Sequence, residues 1–180
     1  TVDTQCGSSQ QATNVAFSLV AAGVVDVAMA CGVESMSRIP IGSNSDKKLG
    51  LGKAIPKSYF DEHEFTSQFE AAERLADKWE ISRDDCDQFG LRSQQLAAAA
   101  WAEDRYGTQI MPVTVPEVDA EGKPTGATKV ISRDEGMRDT TLENLKQLKP
   151  VARPDGAHTA GSSSQISDGA GALLIMTRAK

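Results

Sequence analysis

Val24-Val25-Asp26-Val27-Ala28-Met29-Ala30-Cys31 is a short, nearly continuous apolar run. Such a run suits a strand buried on both faces, as in a parallel sheet. Just before it, residues 8–22 place Ala12, Val15, Ala16, Leu19 and Val20 on one face at helical spacing. Ser8 and Ser9 stand where cap oxygens are needed, and Gly23 stands where the helix should end. A helix followed by a buried strand is an α/β signature. A second apolar run, Gly171-Ala172-Leu173-Leu174-Ile175-Met176-Thr177, closes the chain as another buried-strand candidate. Two pieces of α/β sheet thus bracket a long mixed insertion.

Within that insertion, residues 41–66 are rich in Gly, Ser, Lys and Asp without a clear period, and read as an extended loop. A helix resumes around Ser67, with Phe69, Ala72, Ala76 and Trp79 on one face. Ser82-Arg83-Asp84-Asp85 resembles a capping box opening another helix, which continues through Cys86, Phe89, Ser93, Leu96, Ala97, Ala100 and Trp101. Residues 111–116 and 128–132 are strand candidates around the turn-rich connector 119–126. Leu142, Leu145 and Leu148 mark a short helix stopped by Pro150. No internal repeat or low-complexity tract is present.

Bulk properties exclude several functions. The 180 residues suffice for one domain with a substantial core, and 39% hydrophobic with 24% charged residues is a globular balance. A net charge of -6, with no basic run interleaved with aromatics, argues against nucleic acid. No apolar stretch reaches the roughly 18 residues a membrane span requires. Thr1-Val2-Asp3-Thr4 has neither an initiating Met nor a basic n-region, and reads as a chain cut open in mid-fold. Cys6, Cys31 and Cys86 are an odd number, widely spaced, with no CxxC pair. That speaks against a disulfide framework or a zinc site and for a reducing, cytoplasmic setting.

Cys6 lies in Asp3-Thr4-Gln5-Cys6-Gly7-Ser8-Ser9, just ahead of the first helix. There the positive end of the helix dipole favours a thiolate, Gly7 lets a ligand approach the backbone, and nearby N–H groups can bind an oxyanion. By position alone, a small buried cysteine is the competing reading.

Cys6-Gly7-Ser8-Ser9 followed by an Ala-rich helix resembles the nucleophile segment of thiolases. Cys31-Gly32-Val33-Glu34-Ser35-Met36-Ser37-Arg38 resembles the family's Gly-Gly-x-Glu-x-Met-Ser strand end. Thr159-Ala160-Gly161-Ser162-Ser163-Ser164-Gln165-Ile166-Ser167-Asp168-Gly169-Ala170 resembles its Thr-Ala-Gly-Asn-x-Ser-x-x-Asn-Asp-Gly-Ala segment. Order and spacing also match, with the insertion between the second and third motifs.

The resemblance implies a partial thiolase fold of class α/β: an incomplete layered βαβαβαβ half with an inserted mixed α+β loop domain. Residues 1–38 then carry the nucleophile helix and a buried strand, 39–157 form the loop domain, and 158–180 return to the N-terminal half. It implies an acyl-CoA C-acyltransferase that cleaves a 3-ketoacyl-CoA with CoA to acetyl-CoA and a shortened acyl-CoA through an acyl-cysteine, by ping-pong covalent catalysis. Coenzyme A is then a substrate, with no bound cofactor and no metal, and the parent protein a homodimer or homotetramer.

Position by position, the resemblance makes Cys6 the nucleophile and its backbone N–H an oxyanion-hole donor. Ser164 matches the serine that contacts the pantetheine arm, with Ala160, Gly161 and Ser163 lining the same tunnel. Asp134-Glu135-Gly136-Met137-Arg138 resembles the stretch whose Arg contacts the CoA nucleotide, which selects Arg138. Ser67-Gln68-Phe69-Glu70 replaces the His-Met-Gly of biosynthetic members, and looks more like bacterial degradative thiolases, including those acting on steroid side chains. Ser167 stands in place of an Asn, as a polar turn residue. The family's Gly-His-Pro histidine and Cys-x-Gly cysteine have no counterpart here, so a fragment alone is expected to be inactive, and its open sheet edge to make it poorly stable.

Two other readings share the architecture: a non-catalytic thiolase-like lipid-binding or scaffold protein, and a ketoacyl synthase relative. Retention of Cys6 counts against the first. The loop domain and the Glu34-Ser35-Met36-Ser37 context count against the second. Cys31, Cys86, Trp79 and Trp101 read as core residues, His63 as a loop residue, and His158 as serving a turn. Lys47-Lys48 reads as a solvated charge pair, with a weak contact to CoA phosphates as the alternative.

Overall fold

The computed structural model describes residues 1–43, 48, 50, 52 and 55–179. They form two compact units. The chain leaves the first, Thr1–Glu62, for the second, His63–Gln165, and returns to the first at Ile166–Lys180.

In the first unit a 3-10 turn, Gln5–Gly7, runs directly into helix α1, Ser8–Ala21. Gly23 follows with φ +68, a conformation glycine adopts without a Cβ penalty, and closes the helix as expected. The cap is different from the expectation. Gly7 is the N-cap and no side chain caps α1, because the Ser8 hydroxyl turns back toward Thr4 and Gln5.

Strand β1, Val27–Glu34, pairs with β4, Gly169–Met176. The pairing is antiparallel, from Val27 opposite Met176 to Glu34 opposite Gly169. Neither the parallel sheet nor double-sided burial holds. Side chains alternate along a strand, and α1 covers only one face. Ala28, Ala30 and Gly32 lie on that face, with Ala30 buried against the helix that also buries Ala16 and Val20. Val27, Met29, Cys31 and Val33 point the other way with their partners Leu174 and Met176, and Met29 is 63% exposed. Cys31 is accordingly exposed rather than a core residue.

A clamp joins the end of β1 to the start of β4. The Asp168 carboxylate accepts from the Ser37 N–H at 2.8 Å, from the Ser37 hydroxyl, and from the Ser35 hydroxyl at 3.4 Å. These hydrogen bonds, the Ser37 hydroxyl first, hold the Asp168 carboxyl below the ordinary carboxylate range. Of the expected loop 41–66, Tyr59–Glu62 is a helical turn, α2. Lys47 lies outside the described residues.

The second unit is built on two helices. Helix α3, Gln68–Lys78, starts at Ser67, whose side chain accepts from the Glu70 N–H. Helix α4, Arg83–Ala102, opens with the capping box that Ser82 and Asp85 predict. Its buried residues are Cys86, Asp87, Gly90 and Ala100. Phe89 is 73% exposed, and Trp79, at the end of α3, is 61% exposed under Lys78, so Trp79 is no core residue. Trp101 is half-buried, its ring tilted against Tyr106, with the Arg133 guanidinium 5.5 Å from its ring centre. Strands β2, Val113–Val118, and β3, Pro124–Ile131, form an antiparallel hairpin with an irregular register at Pro116. Helix α5, Leu142–Lys146, buries Leu145.

Among the described residues no helix is long and apolar enough to cross a membrane, and no group of three or more His, Cys, Asp and Glu side chains is set to hold a metal ion.

Candidate active site

Cys6 sits in the middle of the 3-10 turn, exposed. The turn is shaped by its neighbours. Gln5 has φ +54, an uncommon left-handed conformation for a residue other than glycine. Its N–H donates to Asp3 Oδ1 at 3.0 Å, and the Gly7 N–H donates to the Thr4 carbonyl at 3.1 Å. The Ser8 hydroxyl accepts from the Thr4 N–H at 2.9 Å and donates to the Gln5 carbonyl at 2.6 Å. The Cys6 N–H has no acceptor among the described residues. It is free to donate to an incoming oxygen.

Gly32 lets α1 approach β1 so closely. A Cβ there would stand 2.8 Å from Ser9 Oγ, so a side chain would force that hydroxyl to rotate aside.

The other candidates lie in the second unit, along α4. Ala160 and Gly161 begin a 3-10 turn, Ala160–Ser162, capped by Thr159, which is 0% exposed. Thr159 Oγ1 accepts from the Gly161 N–H at 3.1 Å, and the Thr159 carbonyl accepts from the Ser163 hydroxyl at 2.7 Å. The turn lies on the middle of α4. A Cβ on Gly90 would be 2.4 Å from the Gly161 carbonyl oxygen, and one on Gly161 would be 2.5 Å from Leu145 Cδ2. Ser164, just beyond, is exposed, and its hydroxyl has no partner among the described residues.

Arg138 is exposed and lines a cleft of ≈ 340 Å³ with Gln94, Gln95, Ala98, Arg133 and Asp139. Its N–H donates to Gln94 Oε1 at 2.8 Å, and its Nη1 donates to the carbonyls of Glu135 and Met137, both at 3.0 Å. Gln165 Nε2 donates to the Gly136 carbonyl, tying the stretch after Ser164 to the turn that carries Arg138. Arg138 and the 160–164 segment are therefore brought together on one helix.

Two buried carboxylates hold this arrangement. Glu73 accepts from the N–H groups of Ala157 and His158 at 2.8 and 3.0 Å, which fixes the approach to Thr159. Asp87 pairs with Arg83 at 2.9 Å, and Arg83 Nη2 donates to the carbonyls of Leu145 and Leu148 at the end of α5. The Cys86 thiol, 3.8 Å from His158 Nδ1, is pushed up by burial and then by the nearby carboxylates Glu73, Asp85 and Asp87. It is a packed thiol, as its place on α4 predicts.

Sequence reasoning passed over Glu73 and Gly90, and gave the Ser8 hydroxyl a capping role it does not take. Gly90 carried a usable signal, since a lone glycine inside a helical pattern often marks a close approach. Glu73 carried none, because the N–H groups it accepts from lie more than eighty residues away in sequence.

Residues 1–179 match the family model "Thiolase, N-terminal domain". The chain belongs to the thiolase family. It is similar to the 3-ketoacyl-CoA thiolase of Bacillus subtilis (strain 168), 40% identical over all of this chain and 46% of the relative. The peroxisomal 3-ketoacyl-CoA thiolase of Homo sapiens is 39% identical over all of this chain and 41% of that protein. The solved structure of acetyl-CoA acetyltransferase from Syntrophomonas wolfei superimposes with a TM-score of 0.73 at 30% identity, over 99% of this chain and 45% of that one. The chain thus has part of the α/β thiolase fold, and spans less than half the length of the thiolases it matches.

Proposed function

We propose that this chain belongs to an acyl-CoA C-acyltransferase that cleaves a 3-ketoacyl-CoA with CoA, using Cys6 as the nucleophile. The carrying observation is an exposed cysteine with a free N–H, at the mouth of α1, in a chain that matches the thiolase N-terminal domain over residues 1–179. The Cys6 thiolate adds to the keto carbon, and the Cys6 N–H stabilises the alkoxide that forms. Collapse breaks the Cα–Cβ bond and expels the enolate of acetyl-CoA, which takes up a proton. The acyl group remains as a thioester on Cys6. The thiolate of a second CoA attacks that thioester and releases the shortened acyl-CoA, returning Cys6.

Arg138 is assigned to the CoA nucleotide, and Ala160, Gly161, Ser163 and Ser164 to the pantetheine arm. The cleft beside Arg138, the unengaged Ser164 hydroxyl and the link between their segments through Gln165 support that assignment. The division into a nucleophile half (1–38 with 158–180) and a loop insertion (39–157), the homo-oligomer and the cytoplasmic setting belong to the same reading. Neither His63 nor His158 stands in a Gly-His-Pro setting, so these 180 residues alone are not expected to turn over.

The test is the intact mass of the full-length natural protein after brief exposure to a 3-ketoacyl-CoA. An acyl adduct mapped to Cys6, absent in Cys6→Ser, is the expected result. No adduct on Cys6 overturns the proposal and favours a non-catalytic thiolase-like protein.

A further inference from the structure

We infer that Ser8 is a positioning residue whose hydroxyl aims the Cys6 N–H at the developing oxyanion. This rests on Cys6 being the nucleophile. A trans peptide holds its C=O and N–H on opposite sides of one rigid plane. The Gln5 carbonyl and the Cys6 N–H belong to the same plane, so whatever fixes the carbonyl also fixes the direction of the N–H. The Ser8 hydroxyl donates to that carbonyl at 2.6 Å, and the Ser8 N–H donates to it as well. Both draw the oxygen toward the helix, and the Cys6 N–H is turned away from it.

The plane needs holding, because Gln5 carries a side chain in the left-handed region, where residues other than glycine stay only when their surroundings enforce it. On the other side of Gln5, the Thr4–Gln5 plane is pinned through Asp3 and Gly7. Ser8 also holds the peptide before that, since its oxygen accepts from the Thr4 N–H of the Asp3–Thr4 plane at 2.9 Å. Its hydroxyl is therefore occupied at both ends and is unavailable as a base for Cys6. Loss of the hydroxyl leaves only the Ser8 N–H on the Gln5 carbonyl, and the loosened Gln5–Cys6 plane can rotate to relieve the strain at Gln5. The thiol would remain, while the donor would move off line.

The experiment separates donor from thiol in the full-length protein. Alkylation of Cys6 by iodoacetamide displaces iodide at carbon and builds no oxyanion, whereas acylation of Cys6 by acetoacetyl-CoA does. In Ser8→Ala we expect acylation and kcat to fall about 10–100-fold, as for a small misplacement of a reacting group. KM for CoA and the iodoacetamide rate at Cys6 should stay within about twofold. Ser8→Thr, which keeps a hydroxyl, should restore acylation. Undiminished acylation in Ser8→Ala, an equal fall in alkylation and acylation, or a Ser8→Thr variant as slow as Ser8→Ala each overturns the assignment. Absence of any acyl-Cys6 in the unmodified protein would instead overturn the nucleophile reading itself.

Discussion

The two units are held by different means. Among the described residues, the first buries only small apolar side chains, Ala16, Val20 and Ala30, and relies on the β1–β4 ladder. Its second sheet face stays open, with Leu174 58% exposed. The second unit buries Glu73, Asp87 and Thr159, and each engages backbone or a paired charge at a fixed geometry. The contrast concerns direction. Apolar burial rewards any close fit, whereas a buried carboxylate tolerates only the arrangement that supplies its donors. The CoA-side candidates are thus placed by specific polar clamps, and Cys6 by a local turn.

That contrast can be broken by mutation. The largest expected effect is at Glu73: Glu73→Ala strands the N–H groups of Ala157 and His158 and should cost about 3 kcal/mol, read from the urea midpoint. Val33→Thr on the open face of β1 should change stability by about 0.5 kcal/mol or less. Equal effects would show that the two units are stabilised alike.

Gly90→Ala sharpens the comparison within the second unit. A methyl 2.4 Å from the Gly161 carbonyl must push the 160–162 turn off α4, at about 1–3 kcal/mol, with a rise in KM for CoA. An unchanged KM would detach that turn from CoA binding. Ser82→Ala removes the cap of α4 and should cost about 1 kcal/mol without touching KM, checked by thermal unfolding and steady-state kinetics.

The smallest effect is a pH dependence in the first unit. The Asp168 carboxyl titrates lower in the folded chain than in the unfolded one. Its contribution is therefore present above the ordinary carboxylate range and is lost as pH falls through the lowered folded value. Asp168→Asn should flatten the acid limb of stability against pH, and an unaltered slope would show that the Ser35–Ser37 clamp contributes nothing.

Much of this was legible in the residues. Helix α1, the Ser82 capping box, the β2–β3 hairpin and the short helix before Pro150 all follow from patterns that neighbouring residues complete among themselves. The strand at the end of the chain was legible too, but its orientation was not. An apolar run announces that a strand can be buried, and leaves open which strand it meets and whether both faces are covered. β1 meets β4 antiparallel, with Ser35 and Asp168 at their ends 133 positions apart in sequence, and only one face receives a helix. That is why Cys31, apolar by pattern, stands exposed.

The sequence by itself determined the family, the position of Cys6 ahead of a helix, and the local signals that start and stop each helix, because these depend on contacts a few residues apart. Only the tertiary structure decided that the Ser8 hydroxyl folds back on Gln5 rather than capping α1. It also decided that Glu73 receives the 157–158 backbone and that Gly90 admits the Gly161 turn. A hydroxyl or carboxylate has several possible partners in a chain, and which one it takes is settled when distant segments close on it and exclude water from the alternatives.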